Sequence, residues 1–282
     1  LVEYCAKRHF PETLDAENPA SAFLDAVIDK QADLIAKWQL LGFIHGVMNT
    51  DNMLICGETV DYGPCAFMDA FDPNAVFSSI DRQGRYAYSN QPKIAHWNLS
   101  WLAQALMPLM HLDKEQATSI AQKSIDRFPE KYHQAYNDGM ALKLGFERAS
   151  AETAALADRL FDLMAEESID FTLCYCKLAD DEVFVFPSSF DSWVQDWKKL
   201  LDDNEPDQSA RLARMRSANP VYIPRNHLVE EAIESAQNSN DFSPFHVLVD
   251  LLANPYTYDE SKIRYATPPK ASERVYQTFC GT

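Results

Sequence analysis

The 282-residue sequence predicts a mainly α (α+β) fold, and three observations point there. One early segment carries apolar residues at helical steps, with start and stop signals at its ends. Further helical candidates follow at residues 97–110, 114–127, 130–144, 151–166, 189–202 and 226–238. Strand character is confined to two short runs, 53–55 and 58–60, hinged at Gly57.

The early helix is well marked. Asn18 is placed to cap it, Pro19 suits its first position, and Gly42 suits the left-handed residue after its last turn. Phe23, Leu24, Val27, Ile28, Leu34, Ile35, Trp38 and Leu41 then share one buried face. The expected strand pair follows and returns Asp61 toward Asn52. Residues 64–92 have little regular pattern. Within them Asp81, Arg82, Arg85 and Tyr86 are either a protein-contacting set or a solvated loop with local salt bridges. Trp193 and Trp197 are spaced for one helical face in the core. The polar run from Asp203 to Asp207 reads as a connection, dividing a unit at 1–202 from a helical extension at 203–282 with a cysteine in its tail.

The chemistry concentrates in His45-Gly46-Val47-Met48-Asn49-Thr50-Asp51-Asn52-Met53, followed by Asp61-Tyr62-Gly63. Asn52 lies seven positions after His45, the spacing at which protein kinases place a magnesium-binding Asn after the His of H-R-D-x-x-x-x-N. Asp61-Tyr62-Gly63 then reads as a D-F-G variant with Tyr62 in the Phe place. Asn and Asp supply hard oxygen ligands, which suits Mg2+, with Mn2+ as a second candidate, carrying ATP. The kinase base position is Val47, which cannot accept a proton, so the nearest replacement is Asp51. A carboxylate beside a divalent cation is a weak base, and it would mainly orient a hydroxyl. His45 reads as a packed strut for the loop. Taken alone, Asp-Tyr-Gly is also an ordinary turn signal.

The longer string from Gly42 to Met53, with Asp61-Tyr62-Gly63-Pro64, closely resembles the selenoprotein O family, called YdiU in bacteria. Residues 81–86 and 90–92, the run Asn219-Pro220-Val221-Tyr222-Ile223-Pro224-Arg225-Asn226, Tyr265-Ala266-Thr267-Pro268-Pro269 and Cys280 near the end extend the resemblance along the chain. The resemblance implies a protein kinase-like C-terminal lobe and transfer of AMP from ATP to Ser, Thr or Tyr hydroxyls of proteins. By it Asp51 is the proton acceptor, Asn52 and Asp61 are magnesium ligands, and Asp61 also touches the nucleotide. Cys280 stands where eukaryotic members carry selenocysteine, so it is a candidate redox thiol or else an unremarkable exposed one.

A kinase-like enzyme also needs an N-terminal lobe with a glycine-rich loop and a strand lysine. Only 41 residues precede Gly42, without a glycine among them, and Lys7, Lys30 and Lys37 follow no strand pattern. The chain is therefore expected to be the C-terminal portion of a longer protein and inactive alone. Two other readings stay open: phosphotransfer by a kinase-like fold, and a non-catalytic pseudokinase module that binds a partner or reports redox state.

A formal net charge of −17 argues against binding to nucleic acid or anionic membrane, both of which need a basic face. No apolar run reaches a membrane span and no signal peptide is visible. The implied location is cytoplasmic in a bacterium or mitochondrial in a eukaryote. Six scattered cysteines do not make a disulfide scaffold. Cys174 and Cys176, which would share one face of a strand, read as buried thiols before zinc ligands.

Overall fold

Helix α1 (Val2–His9) and a 3₁₀ turn (Pro11–Asp15) lead into α2 (Pro19–Leu41). The computed structural model describes residues 1–180, 186–205 and 207–279. The predicted caps of α2 are all in place. Asn18 Oδ1 accepts from Ser21 N at 3.1 Å, Pro19 opens the first turn, and Gly42 closes the helix at φ 67°. Its apolar face is buried as expected, except that Leu34 and Leu41 are half-buried. Gln31 and Gln39 lie buried beside that face, where periodicity alone would place hydrophobic residues. Each is there to bond a carbonyl of another segment: Gln31 Nε2 donates to Leu54 O at 2.5 Å and Gln39 Nε2 to Tyr88 O at 2.8 Å. Tyr88 returns the second bond, its hydroxyl donating to Gln39 O at 2.6 Å.

The small sheet differs from the expected one. Strand β1 (Phe43–Ile44) pairs antiparallel with β2 (Ala66–Phe67), Phe43 opposite Phe67 and Ile44 opposite Ala66. Residues 53–55 and 58–60 form no strands. They flank a tight turn, Gly57 N to Leu54 O at 3.0 Å, which lies on α2 so closely that a Cβ at Gly57 would meet Lys30 O at 2.9 Å. Side chains of α2 take the place of ladder partners, with Gln31 on Leu54 and Trp38 Nε1 donating to Thr59 Oγ1 at 2.9 Å.

Downstream the chain is helical: α3 (Gln91–Met110), α4 (Lys114–Ile125), α5 (Arg127–Lys143), α6 (Ala151–Glu166), α7 (Phe171–Leu178), α8 (Asp191–Asn204), α9 (Gln208–Ala218), α10 (Asn226–Ser239), α11 (Ser243–Leu252) and the short α12 (Ile263–Ala266). The predicted bounds of α6 coincide with those observed. Helix α3 starts six residues before the expected 97, because Pro92 sits in its first turn after a 3₁₀ turn at Tyr88–Asn90. The sequence does not predict helices α1, α7, α9, α11 and α12. The Cys174–Cys176 stretch is thus helical, with Cys174 buried and Cys176 half-buried, its thiol donating to Pro220 O at 3.4 Å. Burial pushes the Cys176 thiol up to about 11, which suits an inert thiol.

Two main cores result. In the first, α2 packs against α3, α4 and α5. The second gathers Phe171 and Tyr175 from α7 with Trp193 and Trp197 from α8. As predicted, both tryptophans are core residues, and they stack at 5.7 Å with their ring N–H groups on Leu156 O and Leu144 O.

A charged seam closes the molecule. Arg225, wholly buried, pairs with Asp69 just after β2 and with Asp170 at 2.8 Å, and also donates to Ala266 O at 3.0 Å. Asp170 meanwhile caps α7 through Leu173 N. The run 219–226 singled out in the sequence supplies this arginine, and Asn219 Nδ2 donates to Lys143 O at 3.0 Å. Among the described residues no helix is long and apolar enough to cross a membrane.

Candidate nucleotide and metal site

The loop after β1 is held by side chains that imitate backbone. Gln91, buried at the start of α3, accepts from His45 N at 2.9 Å and donates to Phe43 O at 2.8 Å, as a neighbouring strand would. Two turns further along α3, Asn98 Nδ2 donates to Met48 O at 2.9 Å. These anchors fix both ends of the His45–Met48 stretch.

His45 is the strut the sequence implied. Its ring is fully buried 5.2 Å from Trp38, with Nε2 2.8 Å from Val60 O and Nδ1 3.4 Å from Val47 N. A carbonyl on one nitrogen and an N–H on the other select the neutral tautomer protonated at Nε2. Burial lowers its pKa below the usual imidazole value, against the pull of the Val60 carbonyl and Asp61. The ring therefore ties the stretch before Asn52 to the residue preceding Asp61.

That tie brings the two expected ion ligands together. Asn52 Nδ2 donates to Asp61 Oδ2 at 3.0 Å and to Val47 O at 3.0 Å. With its amide nitrogen committed twice, Asn52 turns Oδ1 away from both acceptors. Asp61 is exposed and holds φ 56°, a left-handed conformation uncommon outside glycine. Asp51 precedes Asn52 in an exposed 3₁₀ turn, Thr50–Asn52, and no hydrogen bond links its carboxylate to Asn52 or Asp61 among the described residues. Val47 is buried and meets Asn52 through its carbonyl, so its side chain is out of reach of a reacting group.

The pair fits a hard divalent cation in donor chemistry. Asp61 is exposed, and Asn52 Oδ1 joins it on one ion only when the Asn52 amide, whose nitrogen here faces Asp61, turns over; phosphate oxygens and water would complete the shell. Among the described residues no group of three or more His, Cys, Asp and Glu side chains could hold a metal, so a protein-only cage is not offered.

Around the site, Tyr86 donates its hydroxyl to Asn49 Oδ1 at 2.8 Å. The expected local salt bridges in this loop do not form among the described residues. Asp81 instead accepts from the backbone N–H groups of Arg85 and Tyr86, and the Arg85 guanidinium lies 4.7 Å over the Trp97 ring. A groove of about 500 Å³ adjoins the turn, lined by Thr50, Met53, Ile55, Trp97, Asn98 and Trp101 among others. Cys280 lies outside the described residues. Sequence reasoning did not single out Gln31, Gln39 or Asn98 as anchors. Their one signal is an amide side chain on an otherwise apolar helix face.

A family model described as "Protein adenylyltransferase SelO" matches residues 1–253. Over its full length the chain is 47% identical to the protein nucleotidyltransferase YdiU of Rhodopseudomonas palustris, of which it spans 60%. It is 46% identical to the protein of that name from Methylorubrum extorquens, again spanning 60%, and 47% identical to that of Brevibacillus brevis, spanning 58%. The chain thus spans about three fifths of the length of these curated relatives. It belongs to the SelO family.

Proposed function

We propose that this chain is the metal-loop portion of a protein adenylyltransferase, which transfers AMP from ATP to Ser, Thr or Tyr hydroxyls of proteins with Mg2+ or Mn2+. The observation that carries this is the meeting of Asn52 and Asp61 on an exposed edge, with Asp51 one residue away. In this reading residues 1–202 form a kinase-like C-terminal lobe and 203–282 a helical extension. The bacterial relatives favour a cytoplasmic location.

Asn52 Oδ1 and the Asp61 carboxylate would hold the ion, and Asp61 would also touch the nucleotide. When bound, the ion supplies neutralisation of phosphate charge in the transition state. Asp51 accepts the proton of the incoming hydroxyl and orients that oxygen. Val47, buried where kinases keep their base, takes no part in proton transfer. His45 stays neutral and keeps the loop's two arms in register.

The test uses the chain joined to the portion of the relatives it does not span, with ATP labelled at the α- or the γ-phosphate and a hydroxyl-bearing protein acceptor. Label arriving from the α position, reduced about 100-fold in Asp51→Asn, supports the reading. Label arriving only from the γ position rejects it in favour of phosphotransfer.

A further inference from the structure

Four stretches far apart in sequence meet at the carbonyl of Pro64, three residues after Asp61. Gly46 comes so close, at φ 84°, that a Cβ there would lie 2.8 Å from Pro64 O and 3.2 Å from Ser78 Cβ. Pro64 and Ser78 are both buried. The fourth stretch is the C-terminal tail. Thr278 N donates to Phe77 O at 2.8 Å and Ser79 N donates to Thr278 O at 3.0 Å, a parallel bridge laid along residues 77–79. The Thr278 hydroxyl then donates to Pro64 O at 2.5 Å.

The position of this contact matters because of Asp61. A residue with a Cβ holds left-handed backbone only when its surroundings over-determine it. Before Asp61, the Val60 carbonyl is fixed by His45; beside it, the carboxylate is fixed by Asn52. After it, Pro64 is buried against Gly46, and its carbonyl is held by the Thr278 hydroxyl.

We propose that Thr278 is a positioning residue for Asp61: its hydroxyl pins the segment leaving Asp61 and so keeps that carboxylate on Asn52. This rests on the reading of Asn52 and Asp61 as the ion-holding pair. The tail is then part of the site's framework, although over 200 residues of sequence separate it from Pro64.

The experiment compares the parent chain with Thr278→Val, Thr278→Ser and Asp61→Ala, each joined to the portion of the relatives that the chain does not span. Two quantities are read: amide hydrogen exchange of the peptide covering residues 58–67, and affinity for Mn2+–ATP followed by the ion's paramagnetic signal. Thr278→Val is expected to speed exchange in that peptide several-fold while peptides of α6 and α8 keep their rates. It is also expected to weaken Mn2+–ATP binding about tenfold, the loss of one hydrogen bond. Thr278→Ser, which keeps the hydroxyl, should restore both. Unchanged exchange in Thr278→Val overturns the proposal. So does faster exchange with Mn2+–ATP affinity intact, provided Asp61→Ala has lost it. If the parent and Asp61→Ala bind alike, the ion-pair reading itself fails and the positioning role falls with it.

Discussion

The loop around Asn52 and the seam around Arg225 both pin irregular backbone to helices, but with opposite electrostatics. The loop is held by neutral groups: the amides of Gln31, Gln91 and Asn98 and the uncharged ring of His45. The seam is held by a buried guanidinium between two carboxylates. Neutral anchors place no protein cation on Asp61, for which no ion pair occurs among the described residues. Its charge stays available to an external ion. In the seam one guanidinium is shared by two carboxylates, and the result is a joint rather than a binding point.

The largest test of this contrast is Arg225→Met. It strands two part-buried carboxylates and should cost about 3–5 kcal/mol in urea unfolding. A loss under ~1 kcal/mol would show the seam to be dispensable. On the neutral side, Gln91→Leu leaves the His45 N–H and the Phe43 carbonyl without partners, at about 2–3 kcal/mol. Equal losses from the two variants would erase the distinction between charged and neutral anchoring.

Lys143 sharpens the comparison, being a buried cation with no carboxylate in ion-pair range among the described residues. Its ammonium lies 4.0 Å over the Tyr175 ring, and burial pulls its pKa down to about 7. The unfolded chain keeps that proton until pH ~10.4, so between these values the unfolded state binds more protons. Stability from this group therefore rises with pH across the window and is lost as pH falls through about 7. Relative to Lys143→Met, the parent should gain about 2 kcal/mol between pH 7 and 9, measured by urea unfolding at each pH. A flat difference would mean that the charge is solvated. The smallest stability change is expected of Asp61→Gly. Glycine relieves the left-handed φ of 56°, so stability should rise by under ~1 kcal/mol while Mn2+–ATP binding is lost.

Legibility of the sequence divided along physical lines. Helix α2 could be read because its caps and its periodic face agree. Helix α7 could not, since Phe171–Leu178 spans only eight residues, too few to establish a helical apolar period. The strand pair expected at 53–60 failed because Gln31 and Trp38, distant in sequence, claim Leu54 O and the Thr59 hydroxyl. The true strands are two residues each, below the length at which alternation can be recognised. Asn52 and Asp61 stand out through the kinase-like spacing together with the family resemblance, and the structure brings them to 3.0 Å. The groups that hold them do not stand out, because an amide bonding a remote carbonyl leaves no local pattern.

One consequence follows from the reciprocal pair of Gln39 and Tyr88. It docks the far end of the 64–90 segment on α2, while Thr278 docks the near end. Arg82 and Gln83, between these moorings, are open to solvent. A tryptic nick after Arg82 would sever the chain covalently and leave both stumps fastened. The cleaved molecule should travel as one particle on a native gel and separate into two pieces only in detergent.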